Sequence, residues 1–327
     1  MRFSEIIAVC YQGVYSLNYL RKILAIISFS LVIFTGVSLS QENINENVGT
    51  RGLGFLKIGV GAEAIGMGES HVAQSHNLFS SYWNPAGLSL MQRAQLGFMH
   101  NSWFEGINHE FIGYVHPLGT LGVLATSFSY LSFGELERRD ASGELQGSFR
   151  PYDLALVFSY GKKFTSNFAA GINLKFLREQ IDDKKAQALA FDFGGRYDVP
   201  KSQLTLGVNL QNFGTKVKFV EESFDLPLNL KLGAAYRLFE ESIAITTDLN
   251  YPWDNDVNLG FGLEYTPITL FHLRSGYRYS WGGNDLGVVS GLTAGLGLSI
   301  ESYQIDYAFV SFGKLGPTHR VSVLANF

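Results

Sequence analysis

The sequence has little of several things that folded chains of its size usually rely on. Its 327 residues hold one cysteine, 8 prolines and only 17% charged residues, against about 25% in soluble domains. The lone cysteine, Cys10, falls in the N-terminal leader, so the remainder of the chain has no thiol. That excludes a disulfide, a thiolate metal site and a cysteine nucleophile from it. The context Ile7-Ala8-Val9-Cys10 places Val where a lipoprotein signal wants a small residue, which argues against lipidation. Outside the leader no apolar run is long enough for a membrane helix. A net charge of -4 implies neither a nucleic-acid partner nor an acidic substrate. Short catalytic signatures are also missing: there is no Gly-x-Ser-x-Gly, no His-Glu-x-x-His, no phosphate loop and no dinucleotide fingerprint. The histidines (71, 76, 100, 109, 116, 272 and 319) are scattered, and the spacing of His71 and His76 is loose for a metal pair. The expectation is a non-enzymatic chain without metal or cofactor.

Glycine and aromatics are abundant, with 36 Gly, 16 Tyr and 26 Phe. Arg21-Lys22, an apolar run from Ile23 to Val37 and the small-residue stretch Ser38-Leu39-Ser40 read as a secretory signal with a mature start at Gln41. The run falls short of the roughly 20 residues a spanning helix needs. The long stretch before it reads as a start codon assigned too far upstream. Residues 1–40 are therefore expected to be cleaved, and 41–90 and 91–327 to form two structural parts.

From Gln92 onward the pattern alternates with period two, which means strands. We read fourteen, near 94–103, 106–116, 120–133, 153–164, 167–182, 186–199, 204–213, 226–239, 242–251, 257–266, 270–280, 287–300, 303–312 and 318–327. One face is oily, as in Leu226, Leu228, Leu230, Leu232, Ala234, Tyr236 and Leu238. The other carries Lys175, Asp192, Arg196, Asn229, Lys231, Arg237, Asp248, Glu264, Arg274, Arg278, Asp306 and Arg320. Alternation alone also suits a soluble sandwich. Loop lengths separate the two: every second link is tight, as at Thr165-Ser166 and Glu301-Ser302, whereas several of the others are long, above all Gly134 to Tyr152 and Gly214 to Asp225. Sorting of loops by parity is the mark of a transmembrane barrel with its short turns periplasmic, and closure leaves no unpaired edge in lipid. The fold class expected is all-β, a 14-stranded antiparallel transmembrane barrel. Trp103, Phe104, Phe133, Tyr152, Phe164, Phe213, Tyr251, Trp253, Tyr279 and Trp281 at strand ends suit the headgroup level of a bilayer.

Charges on an inward face survive only when paired. They read either as a self-neutralising network or as a headgroup site using Arg237, Arg274 or Arg278, whose guanidinium forks suit carboxylates. The polar loop 134–152, with Arg138 and Arg139 between acids, is either a solvated lid or an extracellular docking loop.

The stretch 66–88 joins leader to strands. Its Gly66-Met67-Gly68 and Trp83-Asn84-Pro85-Ala86-Gly87-Leu88, after a Phe55-Leu56-Lys57-Ile58-Gly59 start, resemble the opening of the PorV/PorQ family, outer-membrane barrels related in fold to the fatty-acid transporter FadL. The chain departs from that pattern at Glu63, where an arginine is usual, and at Gln74-Ser75-His76-Asn77, where a small acidic pair is usual. The resemblance implies that 41–90 is a plug or hatch inside the barrel; separately, Phe327, a terminal aromatic after Val321, Val323 and Ala325 at alternate positions, looks like the signal read by the outer-membrane assembly machinery. The resemblance also implies a non-catalytic cargo-binding or shuttle component of type IX protein secretion in the bacterial outer membrane, with the translocon, the attachment complex and secreted cargo as partners. The alternative implied by the fold relatives is FadL-like uptake of long-chain fatty acids or other hydrophobic amphiphiles.

Overall fold

The computed structural model describes residues 46–239, 241–281, 287 and 289–327; Cys10, the expected signal segment and residues 41–45 lie outside it. Fourteen strands close into one antiparallel barrel. The first six are β1 (Gln95–Ser102), β2 (Asn108–Pro117), β3 (Val123–Ser132), β6 (Tyr152–Lys163), β7 (Phe168–Ile181) and β8 (Lys184–Asp198). Next come β9 (Leu204–Gly214), β12 (Asn229–Leu238), β13 (Ile243–Pro252) and β14 (Asn258–Ile268). The last four are β15 (Phe271–Ser280), β16 (Leu292–Ile300), β17 (Tyr303–Ser311) and β18 (Pro317–Asn326). Each pairs with its neighbours in sequence order, and β18 pairs with β1 from Gln95 opposite Asn326 to Ser102 opposite His319, which closes the sheet.

Two links read from the sequence as loops are themselves hairpins. The 134–152 link contains β4 (Leu136–Arg139) paired with β5 (Leu145–Phe149), and the link after β9 contains β10 (Val217–Phe219) paired with β11 (Glu222–Phe224). Their residues are too polar and too short to alternate visibly, so pairing was hidden. Strand β16 starts at Leu292, later than the expected 287, because Ser290 and Gly291 form a turn.

The two faces obey the alternation. Leu96, Phe98, Ile112, Phe158, Phe193, Leu232, Leu273, Leu296 and Ile305 point out and are exposed, whereas Asn173, Lys175, Asp192, Lys231, Asp248, Arg274, Asp306 and Arg320 point in and are buried. An oily outside around a polar inside fits a barrel whose solvent is lipid. Leu226 and Leu238 are corrections to the expected faces: both are buried, and Leu226, in the link before β12, packs inward with Leu53 and Phe55. The inner wall is also not charged all round. Met99, Phe111, Val115, Val123, Ala308, Val310 and Leu324 make one apolar sector on β1–β3, β17 and β18.

At the long-loop end, Tyr251 and Trp253 are exposed at their strand ends. A second ring, of which the strand-end aromatics read from the sequence held only Phe164, stands at the short-turn end: Phe164, Phe168, Tyr197, Phe239, Tyr265, Phe271, Tyr303 and Phe327 are all exposed there. Two aromatic girdles bracket the apolar band, as a bilayer-spanning barrel requires.

Candidate functional site

Inside the barrel runs the segment 53–90. It has little regular structure: a 3-10 turn at Gly54–Lys57, a short helix at Ala62–Gly66, another at Ser80–Trp83, and a 3-10 stretch at Pro85–Leu90. Backbone that is not in helix or sheet must find other partners when buried, and here the wall supplies them. Asp248 Oδ2 accepts from the amides of His71 (2.6 Å) and Val72 (2.8 Å). Arg196 donates to the Ala73 carbonyl at 2.6 Å, Asn173 to Ser81 at 2.7 Å, Gln211 to Tyr82 at 2.7 Å and Asn209 to Trp83 at 2.8 Å. Gln95 accepts from the Leu78 amide at 2.8 Å and Ser322 from the Ala62 amide at 3.1 Å. The polar inner face is thus largely a set of caps for one irregular strand of chain.

The apolar sector receives the other side of that segment. Val60, Ile65, Leu78, Phe79, Trp83 and Leu88 bury against it. Nearer the long-loop end, Leu53, Phe55 and Leu56 pack on Leu131, Leu177 and Val217. Each such side chain removed from water contributes about 1.5–3 kcal/mol, so the segment is held by burial as well as by caps.

The sequence-selected residues of this stretch form two contact points. Gly66-Met67-Gly68 lies against wall glycines: a Cβ on Gly66 would stand 3.0 Å from Gly295 Cα, and Gly68 (φ 66°) is in the left-handed region that suits glycine. Thr293 Oγ1 accepts from the Gly68 amide and donates to the Gly66 carbonyl, both at 3.0 Å. The second point is Trp83-Asn84-Pro85-Ala86-Gly87, wholly buried. Trp83 Nε1 donates to the Val60 carbonyl at 2.8 Å, and Lys231 Nζ sits 4.4 Å from the centre of its ring. Asn84 spans segment and wall, donating to Val72 O (2.9 Å) and Gly195 O (3.0 Å), while its own oxygen caps the Ala86 amide at 3.1 Å. Pro85 follows the cap, where a missing N–H costs nothing.

The three arginines considered for headgroup binding do not converge. Arg274 is committed to the wall, with Nε 2.6 Å from Glu264 and Nη1 2.6 Å from Asp306. Arg278, further along β15, pairs with Glu69 of the interior segment at 3.0 Å. Arg237 stands at the short-turn end of β12, in the field of Arg196. Arg278 alone of these lines a polar cavity of about 190 Å³ with Lys57, Glu69, Tyr82, Lys231 and Asp256, at the long-loop end. Lys57 is tied to buried Asp254 at 2.7 Å.

Arg138 and Arg139 are exposed on the β4–β5 hairpin. Arg138 pairs with Asp182 of the next outer link, and Arg139 with Glu137 at 2.6 Å. Asp140 closes the hairpin turn: hydrogen bonds from Ser142, Gln146 and the Glu144 amide hold its carboxyl down, at about 2. Phe327 ends the barrel, its amide donating to Ala94 O at 2.9 Å.

Sequence reading missed two things. It took Asp248 and Arg196 as members of a charge network; Arg196 does pair with Asp198 at 2.8 Å, but both side chains also bind main chain of the interior segment, which the network reading did not assign to them. It also left Glu63 out of the pair His71 and His76. In the structure the Glu63 carboxylate stands 4.0 and 3.8 Å from the His71 and His76 imidazoles, the three side chains drawn into one cluster. The signal was present, since Glu63 and the 74–77 stretch are the two places where the chain departs from the family pattern.

A family model described as type IX secretion system protein PorV matches residues 41–252. No curated protein matches the chain. Among solved structures, the toluene transporter TodX of Pseudomonas putida is 13% identical with a TM-score of 0.58, over 82% of this chain and 97% of that one. The monoaromatic hydrocarbon channel CymD is 12% identical with a TM-score of 0.58, over 82% and 98%. A FadL homologue of Pseudomonas aeruginosa is 13% identical with a TM-score of 0.53, over 81% and 97%. At these identities the likeness is one of fold.

Proposed function

Because the chain belongs to the family of type IX secretion system protein PorV, we propose that it is a non-catalytic component of that secretion route which binds secreted cargo at the cell surface and passes it on. Its location is the bacterial outer membrane, with the lipid bilayer around the barrel. Residues 41–90 act as a hatch and 91–327 as the barrel. The observation that carries the reading is the occupied interior. The apolar void between the segment and β2, β3, β6 and β7, lined by Phe55, Tyr82, Phe111 and Lys175 among others, measures only about 30 Å³. An apolar cavity that takes up benzene is about 150 Å³. Among the described residues, two polar features for binding lie at the long-loop end: the cavity around Lys231 and Arg278, and the β4–β5 hairpin with Arg138 and Arg139. The translocon, the attachment machinery and the cargo are the partners this reading requires.

A second reading is favoured by the solved structures, whose hydrocarbon-channel folds cover most of this chain. In it, the barrel takes up a fatty acid or another hydrophobic amphiphile, and the segment 53–90 shifts to open a path. An apolar groove of about 360 Å³ on the lipid-facing wall, between Tyr114, Leu124, Phe158 and Ile172, offers such a molecule a place on the outer surface, over strands that are continuously paired.

Mild-detergent purification from the native outer membrane, with mass spectrometry of the protein and lipid fractions, separates the two. Co-purifying secreted proteins that share a C-terminal sorting domain, or a very large translocon barrel, support the first. A preparation free of such proteins but holding a stoichiometric amphiphile overturns it in favour of the second.

A further inference from the structure

We propose that Glu63, His71 and His76 of the interior segment form a binding site for a divalent transition-metal ion, with zinc the best match. The argument starts from a buried anion. Glu63 is 2% exposed, and a carboxylate taken out of water needs a cation or a full set of donors. Asn77 Nδ2 donates to Oε2 at 2.9 Å. Oε1 instead faces two imidazoles, 4.0 Å from His71 Nε2 and 3.8 Å from His76 Nε2. The nearest guanidinium, Arg274, already holds Glu264 and Asp306 at 2.6 Å each. Glu63 shares the field of that one cation with both of them.

The histidines give the second, independent observation. His71 is 1% exposed, and neither of its ring nitrogens has a hydrogen-bond partner among the described residues. A buried polar atom left in that state costs about 1–3 kcal/mol, and a metal bond at Nε2 removes the cost for that nitrogen. His76 is set up differently but to the same end. Its Nδ1 stands 2.8 Å from the Gln74 carbonyl, which can only accept. The proton is therefore on Nδ1, and the Nε2 lone pair points toward Glu63. Imidazoles that bind metal through one nitrogen usually donate to a carbonyl or carboxylate through the other. Asn77 orients Glu63 in the same way.

The donor geometry fits. One atom from each residue lies within 4.8 Å of the others. Zinc bonds of about 2.0–2.2 Å in a tetrahedral site put donors about 3.3 Å apart, so the Glu63–His separations of 4.0 and 3.8 Å must close by roughly 0.5–0.7 Å, and the widest separation in the set, up to 4.8 Å, by roughly 1.5 Å. Rotation of the half-exposed His76 side chain supplies most of that. Two imidazoles and one carboxylate around an open fourth position make a borderline-soft set that suits zinc over magnesium or calcium. The fourth position has access because the His76 side chain is 40% exposed. Its neighbours Ala73 and Leu78 pack on Arg196 and Gln95, near the short-turn end, so the ion enters from the periplasmic side. The consequence is mechanical: one ion ties the helix Ala62–Gly66 to the 71–77 turn, clasping the hatch.

The test uses the full barrel in detergent, stripped with chelator, then dialysed against Zn2+ and read by elemental analysis, with Co2+ as a spectroscopic substitute. One Zn2+ per chain and the strong visible absorption of four-coordinate Co2+ are expected. His76→Asn, at the half-exposed member, should weaken binding by about 100-fold or more, and Asn77→Ala by about 10–100-fold. Heat-modifiable mobility on a gel confirms that each variant is folded. Equal Zn2+ in native protein and folded His76→Asn, or no Zn2+ above background in native protein, overturns the site.

Discussion

Gly276 of β15 and Gly68 of the interior segment face one another so closely that a methyl group on Gly276 would lie 2.2 Å from the Gly68 amide nitrogen. Backbone stands against backbone there, so no side chain can move aside. Gly276→Ala should therefore lift the segment off the wall while leaving the outer sheet intact. Overpacking of this kind costs about 1–3 kcal/mol. The expected readout is faster proteolysis within 66–75 and a lower melting temperature, with Gly54→Ala as control because a Cβ there meets nothing within 4 Å. Identical melting and cleavage for the two variants would mean that the contact is not what seats the segment.

A second contact makes a sharper test of the caps. Asp248 takes two buried amides, those of His71 and Val72, on one oxygen. Asp248→Ala leaves both without an acceptor, at about 1–3 kcal/mol each, whereas Asp248→Asn retains one carbonyl oxygen at the same place. The order of thermal stability should be native, then Asn, then Ala. Equal stability of Ala and Asn would mean that capping by Asp248 does not hold the segment.

The fold was legible in the sequence for a definite reason. Lipid outside and polar groups inside force strict alternation on β12–β18, and the parity of loop lengths gives the topology. β1–β3 were less clean because their inner face meets Phe79 and Leu78, so residues such as Phe111 and Val115 are apolar as well. The interior segment was legible as a motif but not as a structure. Its conformation is set by wall residues more than a hundred positions away, such as Arg196 under Ala73, which no local pattern encodes. Glu63 and His71 are near in sequence, yet their approach to 4.0 Å depends on the fold of the segment between them, in which Asn77 also bonds Glu63.

The two aromatic girdles predict depth. Trp253 is 42% exposed at a strand end while Trp83 is 0% exposed inside. In single-tryptophan variants reconstituted into bilayers, lipids brominated near the carbonyl should quench Trp253 strongly and Trp83 hardly at all. Strong quenching of Trp83 would place the segment 53–90 in contact with lipid and not inside the barrel.

The β4–β5 hairpin should be cut by trypsin added to intact cells, at Arg138 or Arg139, if the long loops are outside. Protection on intact cells with cleavage after lysis would invert the topology. The turn also has a pH signature with a fixed sign. Asp140 is held at about 2 against about 3.9 for a free Asp, so its contribution is fully present above about pH 4 and lost as pH falls through about 2. Cleavage of native protein, normalised to that of an unstructured peptide substrate because the protease's own histidine protonates in this range, should thus be unchanged between pH 7 and pH 5. Asp140→Ala should be cut faster at both values.

The three arginines separate into three behaviours, and this distinguishes a binding residue from a packing one. Arg274→Gln strands Glu264 and Asp306 in the wall, and breaking a buried pair costs about 3–5 kcal/mol, so a large fall in melting temperature is expected whatever the ligand. Arg278→Gln gives up a part-exposed pair with Glu69, worth no more than about 1 kcal/mol after screening, yet it removes a guanidinium from the outward cavity. Stability should hold, while retention of the co-purifying carboxylate-bearing partner, whether cargo or amphiphile, should fall by about tenfold, the loss of one charge-assisted contact. Arg237→Gln, at the opposite end of the barrel, should do neither. If Arg278→Gln keeps full retention while Arg237→Gln loses it, binding lies at the periplasmic mouth and the outward cavity has no part in it.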